Sequence, residues 1–272
     1  MLDLLQYPFF INALVAAILS SISCGILGSY IVSRRLVFIS GGISHASFGG
    51  VGLAYYLGFS PILGASLFSV LTSLGIYHLS RRHKLREDSL IGIFWSLGMA
   101  VGIIFIHLTP GYAVNLTAAL FGDILTVSWT ELWLLGGLAA VILALFIFLF
   151  KEIQIIAFDE TFARSRGLPV DLISLVLMVL ISLTIVFNIR IVGIILVMSL
   201  LTLPQATANL FCRRFSTMTR LSVALAVVDT ILGLVVSFLL GIPSGAAIIF
   251  CAALVYGLSV LLVWTRKKFH AH

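Results

Sequence analysis

A histidine and five glycines share thirteen residues, Ser40-Gly41-Gly42-Ile43-Ser44-His45-Ala46-Ser47-Phe48-Gly49-Gly50-Val51-Gly52, inside a long apolar region. An imidazole is the side chain that most readily ligates a metal or carries a proton near neutral pH. Written on a helix, Gly41, His45, Gly49 and Gly52 fall at i, i+4, i+8 and i+11, which is one face. The ring therefore projects from a stripe almost bare of side chains. Such a stripe admits a second helix backbone, or leaves space for something small beside the ring. A histidine in hydrocarbon is costly and usually faces a bundle interior or a polar pathway. The plainer reading is a packing histidine on a small-residue interface.

Other groups could serve the same pathway. Asp229 sits about midway along an apolar run, where a lone carboxylate must pair, line a cavity or hold a proton. Ser199, Thr202, Gln205 and Asn209 recur at steps of 3, 3 and 4, giving a polar stripe on an otherwise apolar helix. Pro204 interrupts that helix, because it cannot donate to the carbonyl of Leu200. Interhelical hydrogen bonding and a pathway lining both fit the stripe. Asp123, in a short connection, could attract a cation or simply cap a turn. His78 and His107 stand near span ends, and His270 and His272 end a polar tail. Cys24, Cys212 and Cys251 form no CxxC pair and read as small core residues. No GxxxxGK[ST] loop, HExxH motif or GxSxG elbow occurs, so no nucleotide cradle or hydrolytic centre is legible. If ATP drives this protein, a separate chain must bind it.

The elements that position these residues follow from composition. The 272 residues are 61% hydrophobic and 10% charged, against about a quarter charged in soluble domains. Apolar segments of roughly membrane-crossing length recur at 9–32, 37–57, 61–80, 89–108, 131–150, 171–189, 191–211, 221–240 and 245–264. The net charge of +6 is no nucleic-acid signal. It gathers at Arg34/Arg35, Arg81/Arg82/Lys84/Arg86, Lys151 with Arg164/Arg166, Arg213/Arg214/Arg220 and Arg266/Lys267/Lys268, in alternate connections, leaving only Arg190 on the other side. The positive-inside rule makes those connections cytoplasmic. The fold class is an all-α polytopic membrane protein, a single transmembrane domain over 1–272. It has about nine transmembrane helices, or eight if the glycine-rich second segment is broken, with the N-terminus outside and the C-terminus cytoplasmic. The first span lacks a basic leader and a cleavage site, and reads as retained. Trp129 and Trp133 read as interfacial anchors.

The stretch 151–170 differs in kind. Lys151 to Pro169 carries mixed charge with Phe158, Phe162 and Ala163 at helical spacing, closed by Gly167 and stopped by Pro169. That predicts a short amphipathic helix over about 154–169, whose apolar face must meet the lipid interface or a cytoplasmic partner.

The chain resembles the membrane permease subunits of bacterial ABC importers for zinc, manganese and iron(II). Six blocks in order carry the resemblance. They are Arg34-Arg35 with Ile43-Ser44-His45-Ala46 and Gly50-Val51; Glu87 to Ile93; and Phe121-Gly122-Asp123-Ile124-Leu125. Phe158-Asp159-Glu160 with Ala163, Gly167 and Pro169 follows, then Val192-Gly193 with Leu203-Pro204 and Ala206, and last Pro243, Gly245 and Ile248. The resemblance implies a homodimer in the cytoplasmic membrane, served by a cytoplasmic ABC ATPase and an extracytoplasmic metal-binding protein. It implies no enzyme activity of its own and no stably bound cofactor, the divalent ion being cargo, with zinc or manganese foremost. It also makes Phe158, Asp159, Glu160, Ala163, Gly167 and Pro169 the segment that couples to the ATPase. One departure stands out: the family commonly has Asp four residues before the histidine, and here that position is Gly41. His45 remains the leading pathway residue and transient metal contact, with Asp229, Asp123 and Gln205 behind it. The rival readings are a stand-alone ion-coupled carrier working through His45 and Asp229, an iron-chelate ABC permease, and a membrane scaffold that recruits a soluble protein through 154–169.

Overall fold

A computed structural model of the chain describes residues 8–83, 85–110 and 124–269. The described residues form twelve α-helices and one short 3-10 turn. They are α1 (Pro8–Ser33), α2 (Val37–Leu57), α3 (Pro61–His83), α4 (Glu87–Leu108), the 3-10 turn Ile124–Thr126, α5 (Trp129–Phe148), α6 (Phe150–Phe158), α7 (Glu160–Ser165), α8 (Val170–Val192), α9 (Ile194–Leu200), α10 (Leu203–Phe211), α11 (Phe215–Leu240) and α12 (Ser244–Phe269). Nine stretches among these residues are long and apolar enough to cross a membrane, the seventh being α9 and α10 together. The glycine-rich second segment is one unbroken helix of 21 residues.

Local chemistry sets the ends. α1 stops where Arg35 enters the left-handed region at φ 59°, and the Leu36 amide returns to the Ile31 carbonyl at 2.9 Å. Gly58 closes α2 and Gly241 closes α11, both left-handed, as helix C-termini prefer. α5 opens on a reciprocal capping box between Ser128 and Glu131. The expected anchors Trp129 and Trp133 stand exposed on its first turns. Glu131 also accepts from Arg190 at 2.8 Å, so the one basic residue away from the clusters is paired.

Hydrocarbon surrounds such a bundle, so apolar burial gives little drive to helix association and close van der Waals packing must supply it. α2 is where that packing is tightest, and it lies mainly against α3 and α4. A Cβ on Gly50 would sit 2.0 Å from the Gly64 carbonyl oxygen of α3. One on Gly52 would sit 2.4 Å from the Gly102 oxygen of α4, and one on Gly98 would lie 2.5 Å from the Ala46 Cα. The glycines on both sides therefore permit backbone-to-backbone contact. Ser40, Ser44 and Ser47 donate to carbonyls of their own helix at 2.7, 2.7 and 2.6 Å, which satisfies their hydroxyls without a partner helix. A second group forms around α1, which packs on α5 and α11, with α10 and α12 against α11. α8 meets both groups, lying against α3 and against α5.

The break expected at Pro204 is present: α9 ends at Leu200 and α10 begins at Leu203, with Pro204 in its first turn. The Leu200 carbonyl that proline leaves without a donor receives the Gln205 side-chain amide at 3.0 Å. The same NH2 donates to the Cys24 carbonyl of α1 at 3.0 Å. A second break, at Gly193 (φ 83°, ψ 163°), separates α8 from α9. Its extended left-side backbone belongs to glycine alone, and it places the boundary between these two spans at Gly193 where the sequence put it near Arg190. The stretch 154–169 also differs from expectation. It is two helices, because the Asp159 side chain accepts the Phe162 amide at 2.9 Å and starts α7 afresh.

Gly50→Leu forces the α2 and α3 backbones apart and is expected to lower stability by about 1–3 kcal/mol, as overpacking does. Gly92→Ala, with open space around its Cβ, should leave stability unchanged. Thermal unfolding of the purified protein in detergent compares the two.

Candidate functional site

His45 lies on α2 and is half-buried, while its helix neighbours on the packed faces are fully buried. Its ring is stacked on the indole of Trp95 from α4, with centroids 4.4 Å apart and planes within 4°. Glycine packing makes this possible, since the Gly98–Ala46 contact draws α4 onto α2 one turn beyond Trp95. Stacking covers one face of the imidazole but leaves its two nitrogens, which lie in the ring plane, at the edge. An imidazole that gains positive charge, by proton or by metal, is stabilised over an indole face. The third wall is Met198 of α9. Its Cε is 2.9 Å from where a Cβ on Gly41 would stand, so the thioether fills the place a side chain at 41 would take. The station offers one imidazole, one thioether and one indole. Among the described residues no three His, Cys, Asp or Glu side chains gather where they could hold a metal ion. Such a site suits brief contact with a cation in passage.

The other candidates are not drawn to this station. Asp229 is 1% exposed on α11, with no hydrogen bond to its Oδ1. It belongs to the group packed around α1, α10 and α12, whereas the helix of His45 packs on α3 and α4. The neighbouring Thr230 hydroxyl turns to the Ala226 carbonyl and to Ser21. Gln205 is wholly buried, and its amide NH2 is engaged by the two carbonyls that tie α1 to the Pro204 break. That geometry is a clamp between helices. The polar stripe does not run as one face, because the helix is interrupted between Ser199 and Gln205, and Asn209 is exposed. Asp123, with Phe121 and Gly122, lies outside the described residues. His78 and His107 are exposed near helix ends.

A second feature occupies the face that carries the basic clusters. Glu160, the first residue of α7, has a side chain only 17% exposed. It accepts from Arg34, just past the end of α1, at 3.1 Å, from both terminal nitrogens of Arg81 of α3, and from Arg164 of its own helix at 3.1 and 3.3 Å. Burial pushes the Glu160 carboxyl up, but Arg81, Arg164 and Arg34 together outweigh it and hold the group down at about 2. Arg164 is fixed in turn by the Asp171 carboxylate of α8 at 2.6 and 2.9 Å, and Asp171 accepts the Tyr77 hydroxyl of α3 at 2.8 Å. Arg34 also donates to the Ile156 carbonyl of α6 at 3.2 Å. Asp171 and Glu160 hold the Arg164 guanidinium above its ordinary value.

Around this node the expected coupling residues divide by face. Ala163 is completely buried, and its carbonyl accepts the Leu168 amide at 3.2 Å across Gly167. Gly167 is left-handed at φ 74°, which lets the chain turn before Pro169 leads into α8. Phe158 and Phe162 are 65% and 45% exposed. Arg166 lies over the Phe162 ring at 5.2 Å, and Phe158 meets Phe215 of α11 edge-on at 6.0 Å. Sequence reasoning placed Glu160 in this segment but missed its arginine partners. Arg34 and Arg81 are far away in the chain, and no spacing rule links them. Trp95 and Met198 were missed for the same reason.

Three comparisons bear on this architecture. The sequence profile of the ABC 3 transport family matches residues 6–263. An uncharacterised membrane protein of Synechocystis is 44% identical over 96% of this chain and 92% of its own length. The manganese transport system membrane protein MntC of Halalkalibacterium halodurans is 37% identical over 94% of this chain and 88% of its own. Among solved structures, PsaBC from Streptococcus pneumoniae, in complex with Fab, superposes with a TM-score of 0.84 at 34% identity, covering 95% of this chain and 93% of that one. Nine apolar membrane-length stretches among the described residues, a glycine-packed helix bearing the histidine and end-to-end similarity agree: the chain is a multi-pass membrane protein of the ABC 3 transport family.

Proposed function

We propose that this chain is the permease subunit of an ABC importer that brings a divalent transition metal, Mn2+ or Zn2+, into the cell. Two copies would form the pathway, a separate cytoplasmic ATPase would drive it, and an extracytoplasmic binding protein would deliver the ion. Relatives named for manganese support the cargo, and the imidazole of His45 suits manganese with carboxylate help and zinc without it. The positive-inside rule puts the face of Arg34, Arg81 and Arg164 in the cytoplasm, and with it α6 and α7.

The observation that carries the reading is the construction of α7. Phe158 at the end of α6 and Phe162 on α7 stand exposed, while the buried Ala163 and the nearly enclosed Glu160 tie the six-residue α7 to the ends of α1 and α3. A helix built that way can be gripped from outside and can move what lies inside. ATP binding and hydrolysis in the partner would shift α6 and α7, and the bundle would expose His45 alternately to the two sides. His45 offers a cation one nitrogen to exchange for water, enough to guide it and too little to trap it.

Reconstitution in proteoliposomes tests the proposal. Mn2+ or Zn2+ should accumulate only when the ATPase and ATP are supplied on the side of the basic face. Accumulation by this chain alone would overturn the reading in favour of an ion-coupled carrier. Phe158→Asp combined with Phe162→Asp should release the ATPase in co-purification while the permease still reaches the membrane. His45→Ala should lower uptake severalfold with assembly intact, whereas the exposed His78→Ala should match the unaltered protein.

A further inference from the structure

The node at α7 joins the ends of α1 and α3 to α7 through the Glu160 carboxylate and α8 through Asp171, and its connections lead to the helix of His45. We infer that Glu160 is a positioning residue that makes α1 and α3 move with α7, so that force applied at the phenylalanine face reaches the pathway. This inference rests on the coupling reading of α6 and α7.

The argument begins with how little else holds α7. A helix of six residues cannot maintain itself, since helix formation needs many turns to repay its nucleation. Its cap at Asp159 and its turn at Gly167 shape it without attaching it to the bundle. Attachment comes from Ala163, which is small, from Glu160 and from the more exposed Arg164–Asp171 pair. The carboxylate receives charge-assisted bonds from Arg34 and Arg81, whose side chains are only 20% and 30% exposed. Bonds so shielded are weakened far less by salt and water than an exposed pair such as Arg86–Asp88, at 3.8 Å and 84% and 68% exposed. Arg34 and Arg81 stand near the ends of α1 and α3, so a displacement of Glu160 pulls on both helices at their tips. From α3 the route continues without a soft link. Gly64 meets Gly50 of α2 backbone to backbone, with no side chain between them to yield, and His45 lies on that same helix. Arg164 completes the node by binding Asp171, which anchors α7 to the start of α8 and through Tyr77 back to α3.

Glu160→Gln keeps the shape of the side chain and removes the charge that gathers three guanidiniums. The complete importer, reconstituted with its ATPase and binding protein and given Mn2+, should still retain the ATPase on purification and still hydrolyse ATP. The Mn2+ moved per ATP hydrolysed should fall about tenfold, within the range usual for coupling between distant sites. Arg86→Gln should leave that ratio unchanged. An unaltered ratio in Glu160→Gln overturns the inference, and so does loss of the ATPase from that variant, which would make Glu160 a docking residue. If Glu160→Gln does not reach the membrane, Arg81→Gln, which leaves Arg34 and Arg164 on the carboxylate, is read by the same ratio against the same two outcomes. The coupling reading fails separately: ATPase retained and uptake undiminished in Phe158→Asp/Phe162→Asp would reject it whatever Glu160→Gln does.

Discussion

Backbone contact between helices is the constraint on which the rest of this structure depends. In lipid the tails are as apolar as leucine, so two spans gain little by hiding hydrophobic surface from each other. They gain by approaching until main chain meets main chain, and glycine alone allows that. At Gly50–Gly64, Gly52–Gly102 and Gly98–Ala46 the approach is close enough to exclude a methyl group. The consequence is rigidity as much as affinity. Close backbone contact ties α2 to both α3 and α4, and the stack of His45 on Trp95 sits within that packing.

The second demand of the membrane is that every freed polar group find a partner. Pro204 breaks a span and strands the Leu200 carbonyl, and Gln205, the next residue, supplies the missing donor from its side chain. Because its NH2 has two hydrogens, it can also bind α1, so the repair becomes a joint. Among the described residues Asp229 is one of several exceptions, the Gln205 Oε1 and the Asn188 Oδ1 being others. The Asp229 Oδ1 is buried without a hydrogen bond, in a helix group apart from His45. A polar group left in that state is the kind of departure that proteins keep for function.

Much of the fold was legible in the sequence because its causes are local and periodic. Runs of apolar residues fix the spans, and the basic clusters fix which ends lie together. The Pro204 break could be read from one residue's missing proton. What escaped was of two kinds. The exact position of the break at Gly193, a few residues past the expected span boundary, and the fresh start at Asp159 depend on a single backbone angle and a single cap, which hydropathy does not register. The surroundings of His45 and Glu160 depend on partners from other helices, and no one-dimensional spacing shows that Met198 would fill the room beside Gly41 or that Arg34 and Arg81 would share one carboxylate. The polar stripe shows the converse error. Its spacing was real, but a helix broken in its middle carries no continuous face.

The replacement of side-chain charge by Gly41 changes what the station beside His45 can do. A carboxylate one turn before an imidazole would add negative charge and raise the ring's basicity, deepening the well for a divalent ion. Met198 contributes a polarisable sulfur without charge, and Trp95 contributes a π face that favours a cationic ring without ligating the metal. Under the proposed transport role the attraction left for a cation would be shallow and would fall mainly on one nitrogen. A shallow site releases its ion readily, so the direction of travel depends less on local affinity and more on which side the bundle is open. In the proposed importer, the more weakly this station would hold an ion, the more strictly transport would have to follow the movement of the helices.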